Sequence, residues 1–502
     1  MSFTYAPAGA DSDVPTKIWR LMSLSLSLPL NILIFLLATV SSYSSAAVPF
    51  TIEAVEDVSS RFPGAPKLQS FAWATWDGKW ILIGGRTTGY HGVGTAETDF
   101  PRAGSNIRIW VIDPQGAKAR IWSTAVSQLP DSLADVKDQW MSSNLLFFQD
   151  GSTLYLAGGY GANSERKLVT YPLLSSVDLA ALVDSVIKGQ DAFSKTIAWV
   201  SSPVVQSAGG ELLKLDDGMF YLAGGHVFTG SYRDFEGASE HNSAAASQTY
   251  LREIRKLRVK RTGKGSLSVE LVETYSDPAF ARRDFNAGLT IASDGHTLGA
   301  AMYGGVFTKD QLNFSKPIYW DSTTPPREDA FEQRMSSYSC ARMQMFDPVS
   351  KTMYTTFFGG ISRSTWDEKA HAFHEAPIEG DKSKSVYFDG MPWIDQVSTL
   401  ARRGNESVET VQPARLGGFV GANAAFLPVT GLKRVREDTA IYDLDSLRGK
   451  RTLVGYIFGG IRAFPREFPY LESSPQYSAG NVPTKPNDLI LAVYVTVAPV
   501  KE

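Results

Sequence analysis

Cysteine is almost absent from this 502-residue chain, Cys340 being the only one. An internal disulfide framework and a multi-cysteine metal site are therefore excluded. A lone cysteine near the start of a strand reads as a small, inert core residue. Net charge is small as well: an ordinary 20% of residues are charged, but the formal net charge is only −3 and the isoelectric point is near 6.1. No global field draws such a chain onto nucleic acid or an anionic membrane surface, so neither is an expected partner. Histidine occurs only six times. Long hydrophobic runs are limited to one, residues 21–40 (LMSLSLSLPLNILIFLLATV); the late apolar run 489–497 (LILAVYVTV) is short, β-branched and strand-like.

The single long run follows Lys17 and Arg20 and precedes SSYSSAA. Small residues at Ser45 and Ala47 suit cleavage after Ala47, so residues 1–47 read as a signal peptide and the mature chain as beginning near Val48. About 20 apolar residues also suffice to cross a bilayer, which leaves an uncleaved N-terminal anchor as the alternative and the only expected link to a membrane. Either way, a secreted or periplasmic location is expected for residues 48–502. Hydrophobic residues make up 43% of the sequence, an ordinary globular share.

A repeat organises those residues. Six runs of strand-forming residues end in a glycine pair: WILIGG at Gly85, LYLAGG at Gly159, FYLAGG at Gly225, GAAMYGG at Gly305, YTTFFGG at Gly360 and GYIFGG at Gly460. Five are preceded by a second β-rich run and a tight turn, as in FAWATWDGKW, LLFFQDGSTL, LLKLDDGMF, LTIASDGHTL and MQMFDPVSKTM. Asp-Gly between apolar runs is a strong hairpin signal because a type I′ turn needs positive φ. Each unit therefore begins as a hairpin whose second strand ends in two glycines, suited to the crowded centre of a radial assembly. The unequal intervals between pairs exclude a solenoid and leave room for long loops on one face.

These units resemble the kelch-repeat β-propeller family. After Gly84 and Gly85 the sequence IRIWVIDPQGAKARIW gives an apolar strand, an Asp113-Pro114 turn and Trp122, similar to the spaced aromatics that follow the family's double glycine. The second unit keeps Tyr171 and Trp199; the third has instead LREIRKLRVKRTGKGSLSVELVETY, a hairpin without the tryptophan. The resemblance runs from about Val48 to the C-terminus and implies an all-β propeller of about six four-stranded blades. After Gly460 one good strand remains, so residues 51–58 are expected to pair with residues 489–497 and close the last blade, leaving no long open edge. Residues 175–190 (SSVDLAALVDSVIKGQ) show helical spacing, with Ser175 and Asp178 placed as a capping box, and read as a helical insertion.

The family resemblance places ligands where loops from several blades converge. The loops after the glycine pairs carry arginine beside aromatic rings, a composition suited to carboxylates or sugars. Candidate ligand-binding residues are Arg86, Tyr90, His91, Tyr232, Arg233, Glu240, His241, Arg363, Trp366 and Arg462. His371, His374 and Glu375 in HAFHE match neither zinc signature order and lack helical context, so no metal is expected there; no cofactor is expected either. Copper-radical oxidases are also kelch-like, but Tyr338 lies too close to Cys340 in sequence for their cross-link and no paired histidines follow. The basic run 252–264 alternates with Ile254, Leu257 and Val259 as on a charged outer strand. Asn313 and Asn405 lie in glycosylation sequons. The reading these features favour is a binding scaffold for a protein or glycan. The alternative is a sugar epimerase or mutarotase with an acid-base set drawn from Arg86, Glu165, Arg233, Glu240 and His241.

Overall fold

Strands account for 51% of the described residues and helices for 11%, so the fold is all-β, with nearly closed sheet pairing. The computed structural model describes residues 48–91, 100–231, 246–376, 378–380, 387–464 and 482–499, all within one unit, Ala47–Glu502. The expected leader, residues 1–47, lies outside the described residues. No helix among the described residues is long and apolar enough to cross a membrane.

Among the described residues, 24 strands form six four-stranded antiparallel meanders, and the others make two-stranded ribbons or add to a meander. The first sheet is Ala72–Trp76, Lys79–Ile83, Arg108–Asp113 and Arg120–Ala125. The second is Ser143–Asp150, Thr153–Ala162, Leu173–Asp178 and Ala198–Ser201; the third is Glu211–Lys214, Phe220–Ala223, Glu253–Gly263 and Ser266–Ser276. The fourth is Asn286–Ile291, Leu298–Tyr303, Ile318–Asp321 and Arg327–Glu328, and the fifth is Ala341–Asp347, Thr352–Ile361, Trp393–Arg403 and Glu406–Arg415. The sixth contains Ala425–Pro428, Arg451–Phe458 and Leu491–Val497, and its outer strand is Phe50–Asp57 from the other end of the chain. That strand runs antiparallel to Leu491–Val497 from Phe50 opposite Val497 to Asp57 opposite Leu491, the pairing expected from the sequence. One parallel pairing, Trp199 with Ser266, joins the second and third sheets, and Ile441–Asp443 adds a parallel fifth strand to the fifth sheet.

Each sheet packs on the next through its own apolar cluster. Ile81 and Leu156 share a core between the first two sheets, Leu174 and Leu222 between the second and third, and Tyr221 and Met302 between the third and fourth. Tyr303 meets Phe357 between the fourth and fifth, Met345 meets Ile457 between the fifth and sixth, and Phe458 meets Trp80 between the sixth and first. The order of contacts is cyclic, and every sheet is covered on both faces. This explains why the second strands read as continuous apolar runs instead of alternating ones.

The glycine pairs hold the sheets together at this inner end. The second glycine of each pair donates its N–H to the carbonyl of the segment entering the next sheet: Gly85 to Ser142, Gly159 to Ser207, Gly225 to Arg282, Gly305 to Ser337, Gly360 to Val420 and Gly460 to Leu68. The last bond returns to the first sheet. The first glycine of each pair also has positive φ and faces the same carbonyl; a Cβ on Gly158 would stand 1.9 Å from the Ser207 oxygen. Glycine is needed here for space as well as for conformation.

Two sequence expectations are corrected. Residues 175–178 belong to the strand Leu173–Asp178, and the helix is Leu179–Lys188, capped by the Asp178 carboxylate accepting from the Ala181 N–H at 2.8 Å and ended by Gly189 at φ 66°. Ser175 and Ser176 are buried in the sheet, so the helical spacing of Val177 is coincidental. The basic run lies on Glu253–Gly263, the third strand of its sheet and not the outer one. The tight connection at Lys264 and Gly265 sends the second arm of this long hairpin to the outside, and its charges are met by carboxylates, Lys256 with Asp217 at 2.8 Å and Arg258 with Glu270 at 2.6 Å.

Candidate functional site

Six residues, one at the entry to each sheet's first strand, form a second closed ring. Ser70 donates its backbone N–H to Asn423, Asn423 to Ser339, Ser339 to Asp284, Asp284 to Gly209, Gly209 to Asn144 and Asn144 back to Ser70, at 2.6–3.2 Å. Five of the six have positive φ, between 51° at Asp284 and 67° at Gly209. Short polar residues and glycine tolerate that conformation best. Side chains add to the ring where the Asn144 amide donates to Asp284 Oδ1 at 3.1 Å.

Two cavities share Ser70, Asn144, Asp284 and Asn423 of this ring. The smaller, about 40 Å³, is lined by residues just before the ring and just after the glycine pairs, among them Arg86, Tyr90, His91, Arg283 and Tyr338. Arg86 is buried, with its guanidinium 4.3 Å from the Phe100 ring centre and Nε donating to Thr88 Oγ1 at 3.2 Å. The Tyr90 ring stacks on His91 at 4.8 Å and stands edge-on to Trp393 at 6.4 Å. Arg283 bonds Asp284 at 2.5 Å.

The larger cavity, about 390 Å³, is lined by the first strand of all six sheets. Its walls are aromatic where Phe71, Trp73, Phe147, Phe285 and Phe426 face it, and polar where Glu211, Arg342 and Gln344 do. Part of the lining comes from residues 429–450, the connection between the first two strands of the sixth sheet, which reaches the third sheet through Arg436 and Asp216, 2.8 Å apart. Burial pushes the half-buried Glu211 carboxyl up to about 7, against the pull of the Arg342 charge.

A raised carboxyl couples stability to pH. In the unfolded chain Glu211 ionises near 4.5, in the folded chain near 7, so the stability it contributes is complete below about pH 4.5 and is lost as pH rises through 7. Glu211→Gln, which keeps the shape and cannot ionise, is expected to raise the melting temperature relative to the native protein more at about pH 8 than at about pH 5. Calorimetry at both values checks this; an equal shift would remove Glu211 from the pH response.

Of the sequence candidates, Arg86, Tyr90 and His91 come together in the smaller cavity, and Arg363, Trp366 and Arg462 line neither. Arg363 instead ties a hairpin of the fifth sheet, bonding Glu375 at 3.1 Å and the Gly390 carbonyl at 3.2 Å. Trp366 packs on Phe373 across the same hairpin at 5.0 Å. Arg462 pairs with Asp488 at 3.2 Å. Tyr232, Arg233, Glu240 and His241 lie outside the described residues. His371 sits at the turn of the Ser364–Asp367 and Ala372–Glu375 hairpin with φ 48°, and no cluster able to hold a metal is found among the described residues.

Glu211, Arg283, Asp284 and Arg342 were not among the sequence candidates. A signal for the ring was present: a small polar residue or glycine at the entry to every first strand, as in Ser70-Phe71, Asn144-Leu145 and Asp284-Phe285.

Cys340 opens the fifth sheet and is buried, its thiol pushed up to about 11 by burial. The native protein is therefore expected to leave a thiol reagent such as Ellman's unreacted at about pH 8, while the denatured chain reacts fully, since the thiolate is the reactive form. Rapid native labelling would contradict this.

The described residues thus form a β-rich protein whose sheets close cyclically about an axial cavity. No family model matches the chain, and no curated protein matches it. Among solved structures, one titled "Structure of YjhT" is similar over 84% of this chain and 99% of that chain, with 10% identity and a TM-score of 0.43.

Proposed function

We propose that the chain is an exported six-bladed propeller of kelch type that acts as a binding scaffold for a protein or glycan through the loops following its glycine pairs. The two closed hydrogen-bond rings and the cyclic order of the six inter-sheet cores support the six-blade reading. The 21–40 apolar stretch supports export, to the periplasm or the exterior.

One observation favours a scaffold over an enzyme on this face. The pocket where Arg86, Tyr90 and His91 meet holds about 40 Å³, room for a water or two, whereas sites that enclose a small substrate span roughly 300–1,000 Å³. Such a surface suits an extended partner that lies across it, with aromatic and cationic groups as anchors. Glu165, one member of the epimerase set, is exposed and paired with Lys167 at 2.8 Å, and does not line this pocket.

The test is a glycan array and binding titrations of any ligand it identifies, in parallel with cross-linking and mass determination of a protein partner from the native source. Binding that weakens about tenfold in Tyr90→Ala, a typical loss for an interface aromatic, supports the scaffold. Accelerated anomer or epimer exchange of acidic sugars in an NMR assay would replace it with the enzyme reading.

A further inference from the structure

We propose that the axial cavity is a second, separate binding site, for a small organic anion whose carboxylate sits on Arg342 and whose aromatic or otherwise apolar body fills the space between the phenylalanine and tryptophan walls. It does not depend on the loop-face reading above. The two cavities lie on different sides of the ring, one lined by the segments that enter it and the other by the strands that leave it.

Three observations carry the proposal. The cavity holds about 390 Å³, within the range of sites for small molecules. Its aromatic residues come from the first, second, fourth and sixth sheets, so flat apolar surface faces the axis from several directions. Arg342 Nε is buried and has no hydrogen-bond partner among the described residues. A buried donor left unmet is costly, and Nε of this half-buried guanidinium together with a terminal nitrogen forms the fork that a carboxylate meets with two parallel bonds.

The other charged groups on this cavity leave Arg342 available. Asp284 is bonded to Arg283, and Asp438 to Arg436 at 2.7 Å. Gln344 is committed to the Leu289 carbonyl at 2.8 Å. Arg434 adds a second cation and Glu437 a carboxylate. Glu211, across the cavity on the third sheet, interacts with Arg342 through space and not by a hydrogen bond. Once Glu211 is ionised it competes with a ligand anion for the field of Arg342, so anion binding weakens as pH rises through neutrality and Glu211→Gln removes that loss.

Three fluorescent probes of one shape separate the outcomes: 2-naphthoate, neutral 2-naphthamide and cationic 2-naphthylmethylammonium, titrated into the intact protein at about pH 6 and pH 8. The expected result is saturable 2-naphthoate binding at least about tenfold tighter than that of the other two, a difference typical of a charge-assisted fork. Arg342→Met should lower 2-naphthoate affinity about tenfold and leave 2-naphthamide unchanged, and Arg342→Lys, which keeps charge without the fork, should fall between. Unchanged 2-naphthamide binding in Arg342→Met also shows that the cavity is intact. Absence of saturable 2-naphthoate binding, preference for the cation, or equal loss of all three probes in Arg342→Lys would overturn the proposal. None of these outcomes bears on the glycan and protein titrations of the loop face.

Discussion

Gly158→Ala is expected to lose about 3–5 kcal/mol of stability and most of its soluble yield, a large share of the roughly 5–15 kcal/mol that holds a typical domain folded. Gly158 has φ +60°, and its new Cβ would stand 1.9 Å from the Ser207 carbonyl oxygen. The conformation itself costs an alanine about 1–2 kcal/mol. The larger part comes from moving Ser207, because the same oxygen accepts the Gly159 N–H at 2.9 Å and its displacement weakens the link between the second and third sheets. Gly151 is the control. It lies in the hairpin turn of the same sheet with φ +57°, and a Cβ added there would meet nothing within 4 Å, so Gly151→Ala meets the conformational cost of about 1–2 kcal/mol alone. Urea unfolding of both variants decides the matter: equal losses would mean that the glycine pairs are kept for backbone conformation and not for close approach.

Removing residues 1–57 is expected to open the sixth sheet and cost about 4–6 kcal/mol, with the product running as soluble aggregates in size-exclusion chromatography. Phe50 and Ile52 are both buried in the core between the fifth and sixth sheets, and each is worth about 2–3 kcal/mol. Ile52 also donates its N–H to the Gln412 side chain of the fifth sheet at 3.2 Å. Loss of the strand bares the edge of Leu491–Val497, an apolar strand with unpaired backbone groups of the kind that recruits other chains. Adding a synthetic peptide of residues 48–58 in trans should restore a monomer and the melting temperature. A truncated protein that stays monomeric with its melting temperature unchanged would show that ring closure by the N-terminal strand is dispensable.

The legible parts of the molecule were those in which one residue type does a job no other can do. Glycine pairs read through because Gly158 and its equivalents must admit a neighbouring carbonyl where a methyl group would stand. The hairpins read through at Asp77-Gly78 and Asp150-Gly151, where positive φ is obligatory. Boundaries were less visible: Ser175 and Asp178 look alike as helix caps, and only the backbone pairing of Ser175 with Leu156 on one side and Trp199 on the other assigns it to a strand. The loop candidates divided for a similar reason. Arg86 and Arg363 both follow glycine pairs, yet Arg363 is taken up by the carboxylate of Glu375 in the hairpin that follows it and by the carbonyl of Gly390 beyond that hairpin, a commitment set by an insertion whose course the sequence does not announce.

Five of the six hairpins, all six glycine ends and the partner of the last strand were legible in the sequence, because turn chemistry, apolar runs and backbone conformation are local properties or follow from counting strands; the sixth hairpin was not, because residues 429–450 separate its two strands. Which side chains share the axis follows from the packing of the sheets around it. Glu211 and Arg342 each sit in a strand among neighbours that give no hint of the other, and they meet across one cavity because the six first strands are brought together when the ring closes. That proximity is a consequence of cyclic packing between sheets far apart in the chain, and no local pattern encodes it.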